Sequence, residues 1–274
     1  MSTVRTVLHH YTSGSGLIGI IESQEIWATQ IQYLNDSHEF AHAIAEARVV
    51  LKERARDRSS PIDARLCRAL ASALERMAGL KVYVACLSAI EDSLSQWRGY
   101  CPPGFGYSVG FFADELRRIA EPQGFQLIEC IYAPIRQREI VEAWVDQSLA
   151  ALRASRPQNE ELETYVSKAG ELYLPSFVRF APALKNEAFR SESEWRLVSL
   201  VMDQRKVKLR PGKSMLLPYV AVELGTLTEV GLVSNIRVGP TPNMELAVSA
   251  ATNLFRRARI PNGIAGSLIP YREW

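Results

Sequence analysis

Apolar positions along this chain switch between a period near two and a period near 3.6, and the switches mark the expected elements. Residues 6–9 form a short apolar strand, Ser13-Gly14-Ser15-Gly16 reads as a turn, and a helix is expected from about Leu17 to Glu22. After Ile26-Trp27-Ala28 comes Tyr33-Leu34-Asn35-Asp36, where Asp36 is placed to cap a helix and Glu39 occupies the reciprocal position. Phe40, Ile44, Ala47 and Leu51 then share one helical face, and Ile62, Leu66, Leu70, Leu74 and Met77 share a second that stops at Gly79. Residues 81–87, 106–112 and 125–132 read as strands. An aromatic-rich loop, Ser93-Leu94-Ser95-Gln96-Trp97-Arg98-Gly99-Tyr100, is expected between the first two, followed by the breaker Pro102-Pro103-Gly104. From about Arg138 to Gly170 the helical period returns, with Val141, Trp144, Val145, Leu149 and Leu152 on one face, too short a stretch to bury a core alone. The last third is strand-rich (194–201, 207–209, 217–222, 230–238), with a helix over 244–259 and a terminal strand over 264–269. Strands in runs with helices set aside predict an α+β fold, one domain over 1–274 with a helical insertion at about 138–170.

Composition narrows the class. With 274 residues, 47% of them hydrophobic, the chain can bury a full core, so disorder is not expected. No apolar run approaches the roughly 20 residues of a spanning helix and no secretory signal opens the sequence, which predicts a cytoplasmic protein without a membrane partner. Cys67, Cys86, Cys101 and Cys130 are scattered without a C-x-x-C pair, as reduced thiols would be. The net charge of +2 includes arginine clusters at 54–58 and 256–259, both too short to establish a nucleic-acid surface.

Two distant segments carry the candidate chemistry. Glu192 and Glu194 lie two apart, so on an extended segment both carboxylates face one side. Surface pairing of one of them with Arg190 or Arg196 is the plain alternative, but the strand-end position, with Lys185 and Phe189 upstream, favours a cleft. A carboxylate opposite a ribose with oxocarbenium character stabilises it by several kcal/mol, which suits cleavage of an N-glycosidic bond. One glutamate would hold a ribose hydroxyl and the other would orient or deprotonate an acceptor. At the opening, His10-Tyr11-Thr12-Ser13 offers an imidazole and a hydroxyl to donate to two ribose oxygens or to a carboxamide, although a strand-end histidine is more often structural. Tyr11, Trp97, Tyr100 and Tyr107 offer flat surfaces for a nicotinamide or adenine ring, although aromatics near strands are more often core. The Gly-Ser turn lacks the Walker lysine and a full G-x-G-x-x-G, leaving a helix entry whose N–H groups can face a diphosphate. His38 and His42 lie one turn apart without a third ligand, so no metal is expected. No G-x-S-x-G elbow supports a serine hydrolase, and a cysteine nucleophile has no better support.

In these segments the chain resembles the bacterial domain-of-unknown-function family 2971. The resemblance rests on His10-Tyr11-Thr12-Ser13, Tyr33-Leu34-Asn35-Asp36, residues 94–100, Glu192-Ser193-Glu194-Trp195-Arg196 and Val238-Gly239-Pro240, and so runs nearly end to end. A looser resemblance is to the ADP-ribosyltransferase fold, to its histidine-tyrosine-glutamate branch and to the DNA-modifying toxins that begin with a His-x-Thr strand. It implies a split sheet with flanking helices and NAD as substrate, with no metal. It also implies His10 and Thr12 at the nicotinamide ribose, Trp97 or Tyr100 on the nicotinamide, and Glu194 as the catalytic glutamate, with Glu192 as the first glutamate of an E-x-E pair. Tyr11 departs from the glycine usual after that histidine, and no residue matches the central tyrosine uniquely. The candidate catalytic residues are therefore Glu194, Glu192 and His10. The candidate NAD-binding residues are His10, Tyr11, Thr12, Asn35, Trp97 and Tyr100. The expected function is ADP-ribosyl transfer or NAD hydrolysis, in a toxin or antiviral-defence setting, with nucleic acid, protein or a small molecule as acceptor. The rival is a non-catalytic nucleotide or nucleic-acid binding module. A metal-dependent nuclease built on Asp36, Glu192, Glu194 and Lys185 lacks a ligand cluster.

Overall fold

The computed structural model describes residues 5–34, 38–56, 61–77, 81–155, 157, 160–161, 164–165, 168, 173–199, 203–212, 214–227, 231–260 and 263–270. Its strands are β1 (Val7–Thr12), β2 (Glu25–Gln30), β3 (Tyr83–Ser88), β4 (Tyr107–Phe112), β5 (Phe125–Glu129), β6 (Glu194–Ser199), β7 (Lys208–Pro211), β8 (Leu216–Glu223), β9 (Val233–Val238) and β10 (Gly263–Gly266). The helices are α1 (Gly14–Ser23), α2 (His38–Arg56), α3 (Pro61–Met77), α4 (Leu94–Tyr100), α5 (Ala113–Ala120), α6 (Pro134–Ala154), α7 (Leu174–Val178) and α8 (Met244–Arg257).

The fold is mixed α+β around one ten-stranded sheet in the order β10-β9-β4-β1-β3-β2-β8-β7, with β6 joined to β3 and β5 to β6. Every pairing is antiparallel except β9 with β10. Strand periodicity sends alternate residues to two cores. Leu8, Ala85, Leu87, Val109, Phe111, Leu197 and Val220 meet α1 through Leu17 and Ile20, α5 through Leu116 and α8 through Phe255. On the reverse face Val84 and Val198 meet α2 (Phe40, Ile44, Ala47, Leu51), α3 (Leu66, Leu70, Leu74) and α6 (Val141, Val145, Leu149). The expected helical insertion thus contributes α6 to the same buried cluster as the sheet, while much of its later part, Gly170 included, lies outside the described residues.

One edge of β3 positions everything that follows. β6 pairs with Val84 through Ser88 and so fills one edge over those residues. The other edge is shared: β1 touches it only at His9↔Ser88, and β2 only at Thr29↔Val84 and Gln30↔Tyr83. Between those contacts, at residues 85–87, β1 and β2 splay apart and the sheet opens. A backbone carbonyl left there needs another partner, and the imidazole of His10 supplies it, with Nδ1 2.9 Å from the carbonyl oxygen of Cys86.

Three local expectations are corrected. β1 continues through Thr12, so His10 and Thr12 lie within the strand and not beyond its end. The expected loop at 93–100 contains the helix α4. Its turns are anchored by Trp97, whose ring meets Tyr11 edge-on at 4.5 Å and whose indole N–H donates to Asp92 at 2.8 Å. Finally, the segment at Glu192 is not extended: a 3-10 turn runs Glu187–Glu192 and Ser193 is left-handed at φ 43°, so the strand begins only at Glu194.

Candidate functional site

The opening between β1 and β2 is a cavity of about 590 Å³, within the usual size of a small-molecule site. Its floor is β3 at 84–87. Its walls include His10 and Thr12 from β1, Ser13, Ser15 and Gly16 from the start of α1, and Trp27 and Thr29 from β2. Gln96 and Tyr100 of α4, Glu194 of β6 and Arg210 of β7 complete it. A broader groove of about 1960 Å³ adjoins it, sharing Ser13, Leu34, Tyr100, Arg210 and Pro211.

Because a carbonyl oxygen only accepts, His10 Nδ1 carries the hydrogen and Nε2 presents its lone pair. Burial depresses the basicity of His10, the Cys86 carbonyl works against this, and the Arg210 charge adds to it, so the neutral ring prevails. The nitrogen left to the cavity is thus an acceptor, whereas the sequence reading has the imidazole donating. His9 faces the other side of the sheet, over Gly110, where burial lowers it to about 4 between the opposed influences of Glu91 and Arg237. Thr12 crosses close to α1, since a Cβ on Gly16 would stand 2.0 Å from Thr12 Oγ1.

The wall around Glu194 is an ionic cluster. Glu194 Oε2 accepts from Lys185 Nζ at 2.7 Å and Arg196 Nη2 at 2.9 Å, and Oε1 accepts from Arg196 Nε at 2.9 Å. Lys185 Nζ also donates to Glu192 Oε2 at 2.8 Å, and Arg196 Nη1 to the Pro182 carbonyl at 2.6 Å. Lys185 and Arg196 are 0% and 2% exposed, so these cations exist only because the glutamates hold them. Burial alone would raise the Glu194 carboxyl, but Arg196 and Lys185 outweigh it and hold it at about 2. Two carboxylates meet two cations, and the cluster is neutral as a unit.

On the opposite wall the pattern differs. Arg210 Nη2 donates to Thr29 Oγ1 at 3.1 Å and the guanidinium lies 5.9 Å from the Trp27 ring centre, while its Nε is buried without a hydrogen-bond partner. Burial lowers its pKa. Glu25, which also lines the cleft, pairs with Lys208 at 3.6 Å.

Of the sequence-predicted residues, His10, Tyr11, Thr12, Tyr100 and Glu194 line the cleft. Tyr11 is committed to packing, its hydroxyl donating to the Ile90 carbonyl and accepting from Ser93 N–H. Trp97 lines the groove instead, and Glu192 lines neither opening but reaches the cluster through Lys185. Asn35 and Asp36 lie outside the described residues, as do the side chains of His38 and Glu39. His42 approaches Gln137 Oε1 at 3.4 Å, and among the described residues no group of three His, Cys, Asp or Glu gathers to hold a metal. No helix among them is long and apolar enough to cross a membrane. Trp27, Thr29, Gln96 and Arg210 were missed. Trp27 was the legible one, since an exposed aromatic alternating with buried Ile26 and Ala28 must point away from the core.

Residues 96–197 match a family described as Protein of unknown function (DUF2971). The match takes in Gln96 to Tyr100 and the Glu192–Arg196 block but not His10 to Ser13, Asn35 or Val238-Gly239-Pro240, so it is narrower than the near end-to-end resemblance expected from the motifs. No curated protein and no solved structure matches the chain.

Proposed function

We propose that this chain consumes NAD as an ADP-ribosyltransferase or NAD glycohydrolase, with an ADP-ribosyltransferase-like split sheet and the nicotinamide ribose seated between His10 and Glu194. The observation that carries this is the opening beside β3, which sets a neutral imidazole with a free acceptor nitrogen and a permanently ionised carboxylate on one cavity of nucleotide scale. His10 Nε2 accepts a hydrogen bond from a ribose hydroxyl and the Thr12 hydroxyl serves its neighbour. Tyr100, at the junction of cleft and groove, offers its ring to the nicotinamide. The bond from ribose C1′ to the nicotinamide nitrogen breaks, nicotinamide leaves with the electron pair, and Glu194 stands against the cationic carbon. An acceptor then bonds to C1′ and gives up its proton to solvent water, and when water is the acceptor the product is ADP-ribose. Nucleic acid, protein and small molecules are the acceptor classes to be sorted.

The neutrality of the Glu194 cluster favours a second reading, a module that binds a nucleotide without turning it over, because Lys185 and Arg196 already claim the charge a transition state needs. Incubation with NAD labelled in its adenylate half, followed by nicotinamide assay and fractionation of an added lysate, separates the two. Nicotinamide release establishes the enzyme. Thermal stabilisation by NAD without release establishes the module, and neither effect would end both.

A further inference from the structure

The cations that flank the cleft are paired with carboxylates, and Arg210, which lines it, is not. Lys185 and Arg196 answer Glu192 and Glu194, and Lys208 answers Glu25. Arg210, on the edge strand β7, reaches back to Thr29 of β2, and among the described residues it has no carboxylate partner. Its Nε is buried and unbonded. A half-buried guanidinium without a counter-ion weakens a fold unless a ligand completes it, and its five donors in a planar fork match oxygen-rich anions.

We propose that Arg210 is the phosphoryl-binding residue of the cleft, taking the phosphate or diphosphate of a nucleotide where its guanidinium lines the opening. As a statement about NAD it rests on the reading above, where it names what holds the diphosphate. As a statement about phosphorylated ligands it stands on the charge imbalance itself. The remaining lining suits a phosphoryl group better than a carboxylate, whose two oxygens one arginine fork would satisfy. Thr12, Ser13 and Ser15 bring hydroxyls to the same cavity, and the Ser13 side chain caps α1 by accepting from Gly16 N–H at 3.1 Å. The cavity also exceeds a free anion in size, so a nucleoside carrying the phosphoryl group is the expected ligand.

The test is titration calorimetry with inorganic diphosphate, ADP and adenosine on the wild type, Arg210→Gln and Arg210→Lys, with melting curves of each apo protein. Wild type should bind ADP at least tenfold more tightly than adenosine. Arg210→Gln should lose that advantage, leave adenosine affinity in place and melt at or above the wild-type temperature, since an unpaired cation has been removed. Arg210→Lys should fall between. Diphosphate binding as tightly as ADP, and lost in Arg210→Gln, would keep Arg210 as the anion site and name a free anion as its ligand. Equal ADP affinity in wild type and Arg210→Gln, no ADP or diphosphate binding by wild type, or a parallel loss of adenosine binding and melting temperature would each overturn the proposal. NAD itself separates the two ideas. Arg210-dependent ADP binding without any NAD binding would sink the NAD reading alone, whereas NAD consumed equally by wild type and Arg210→Gln would sink the phosphoryl site alone.

Discussion

Arg196 and Arg210 serve the two sides of one cleft under opposite conditions. Arg196 is 2% exposed, forks onto both oxygens of Glu194 and donates its remaining edge to the Pro182 carbonyl. Arg210 has a single hydroxyl at 3.1 Å and a ring beside it. The first arrangement closes all valences before any ligand arrives, so it fixes the end of β6 and the turn Glu187–Glu192 in place. The second leaves a cation that lines the cavity without a carboxylate among the described residues. A site needs both, because a ligand-ready group is useful only where its surroundings cannot relax to satisfy it.

The balanced side breaks most severely by losing Lys185. Lys185→Ala strips Glu192 of its cation and leaves Glu194 to Arg196, and removal of one partner of a buried ionic group costs about 3–5 kcal/mol. Urea unfolding measures it. A change under about 1 kcal/mol would show that the cluster is not scaffolding.

Acid is the next lever. His9, 5% exposed, is held at about 4 against an ordinary 6.5, chiefly by burial. The unfolded chain therefore takes the proton first, so the contribution of His9 to stability is complete above about 6.5 and declines as the pH falls towards 4, by about 3 kcal/mol in all. His10, also depressed, adds to the slope. Glu194, held at about 2 against 4.5, holds its contribution above 4.5 and loses it as the pH drops below that. Denaturant melts across pH 4–7 should flatten in His9→Gln, and an unchanged slope would remove His9 from the acid response.

Glu194→Gln should lower nicotinamide release roughly 100-fold, the scale of a lost electrostatic contributor. It should also weaken the fold, because Arg196 then loses the carboxylate it forks onto and Lys185 keeps only Glu192, so turnover must be normalised to folded protein. Wild-type turnover in the folded fraction would leave Glu194 a structural residue only.

Much of the sheet was readable because β3 is nearly all apolar while β5 alternates buried Phe125 and Leu127 with more exposed neighbours, and the stripe of α2 is plain in Phe40, Ile44, Ala47 and Leu51. α4 was not, since a seven-residue helix beside Pro102-Pro103 has little intrinsic signal and depends on Trp97 meeting Tyr11. The pairing of Glu192 with Glu194 was expected from extended spacing, but the two meet through Lys185 after a left-handed Ser193. Arg210 was invisible for a topological reason: its cleft position depends on β7 lying two strands from β2, which no local pattern encodes.

The smallest expected effect separates the two histidines of β1. His10→Ala removes the acceptor at Nε2 and should weaken NAD binding by about 1–2 kcal/mol, the scale of a lost hydrogen bond to a polar partner. Its stability cost should be small, because the Cys86 carbonyl it served borders an open cavity where water can replace the imidazole. His9→Ala should do the reverse. Its ring packs over Gly110 at the covered face, with Nδ1 buried and unbonded, so truncation opens a void and lowers the melting temperature without touching NAD affinity. Calorimetry with NAD and apo melting curves on both variants test the pair. Loss of NAD binding in His9→Ala with normal binding in His10→Ala would move the ligand to the reverse face, beside Glu91 and Arg237, and Arg210 would then line an empty cleft.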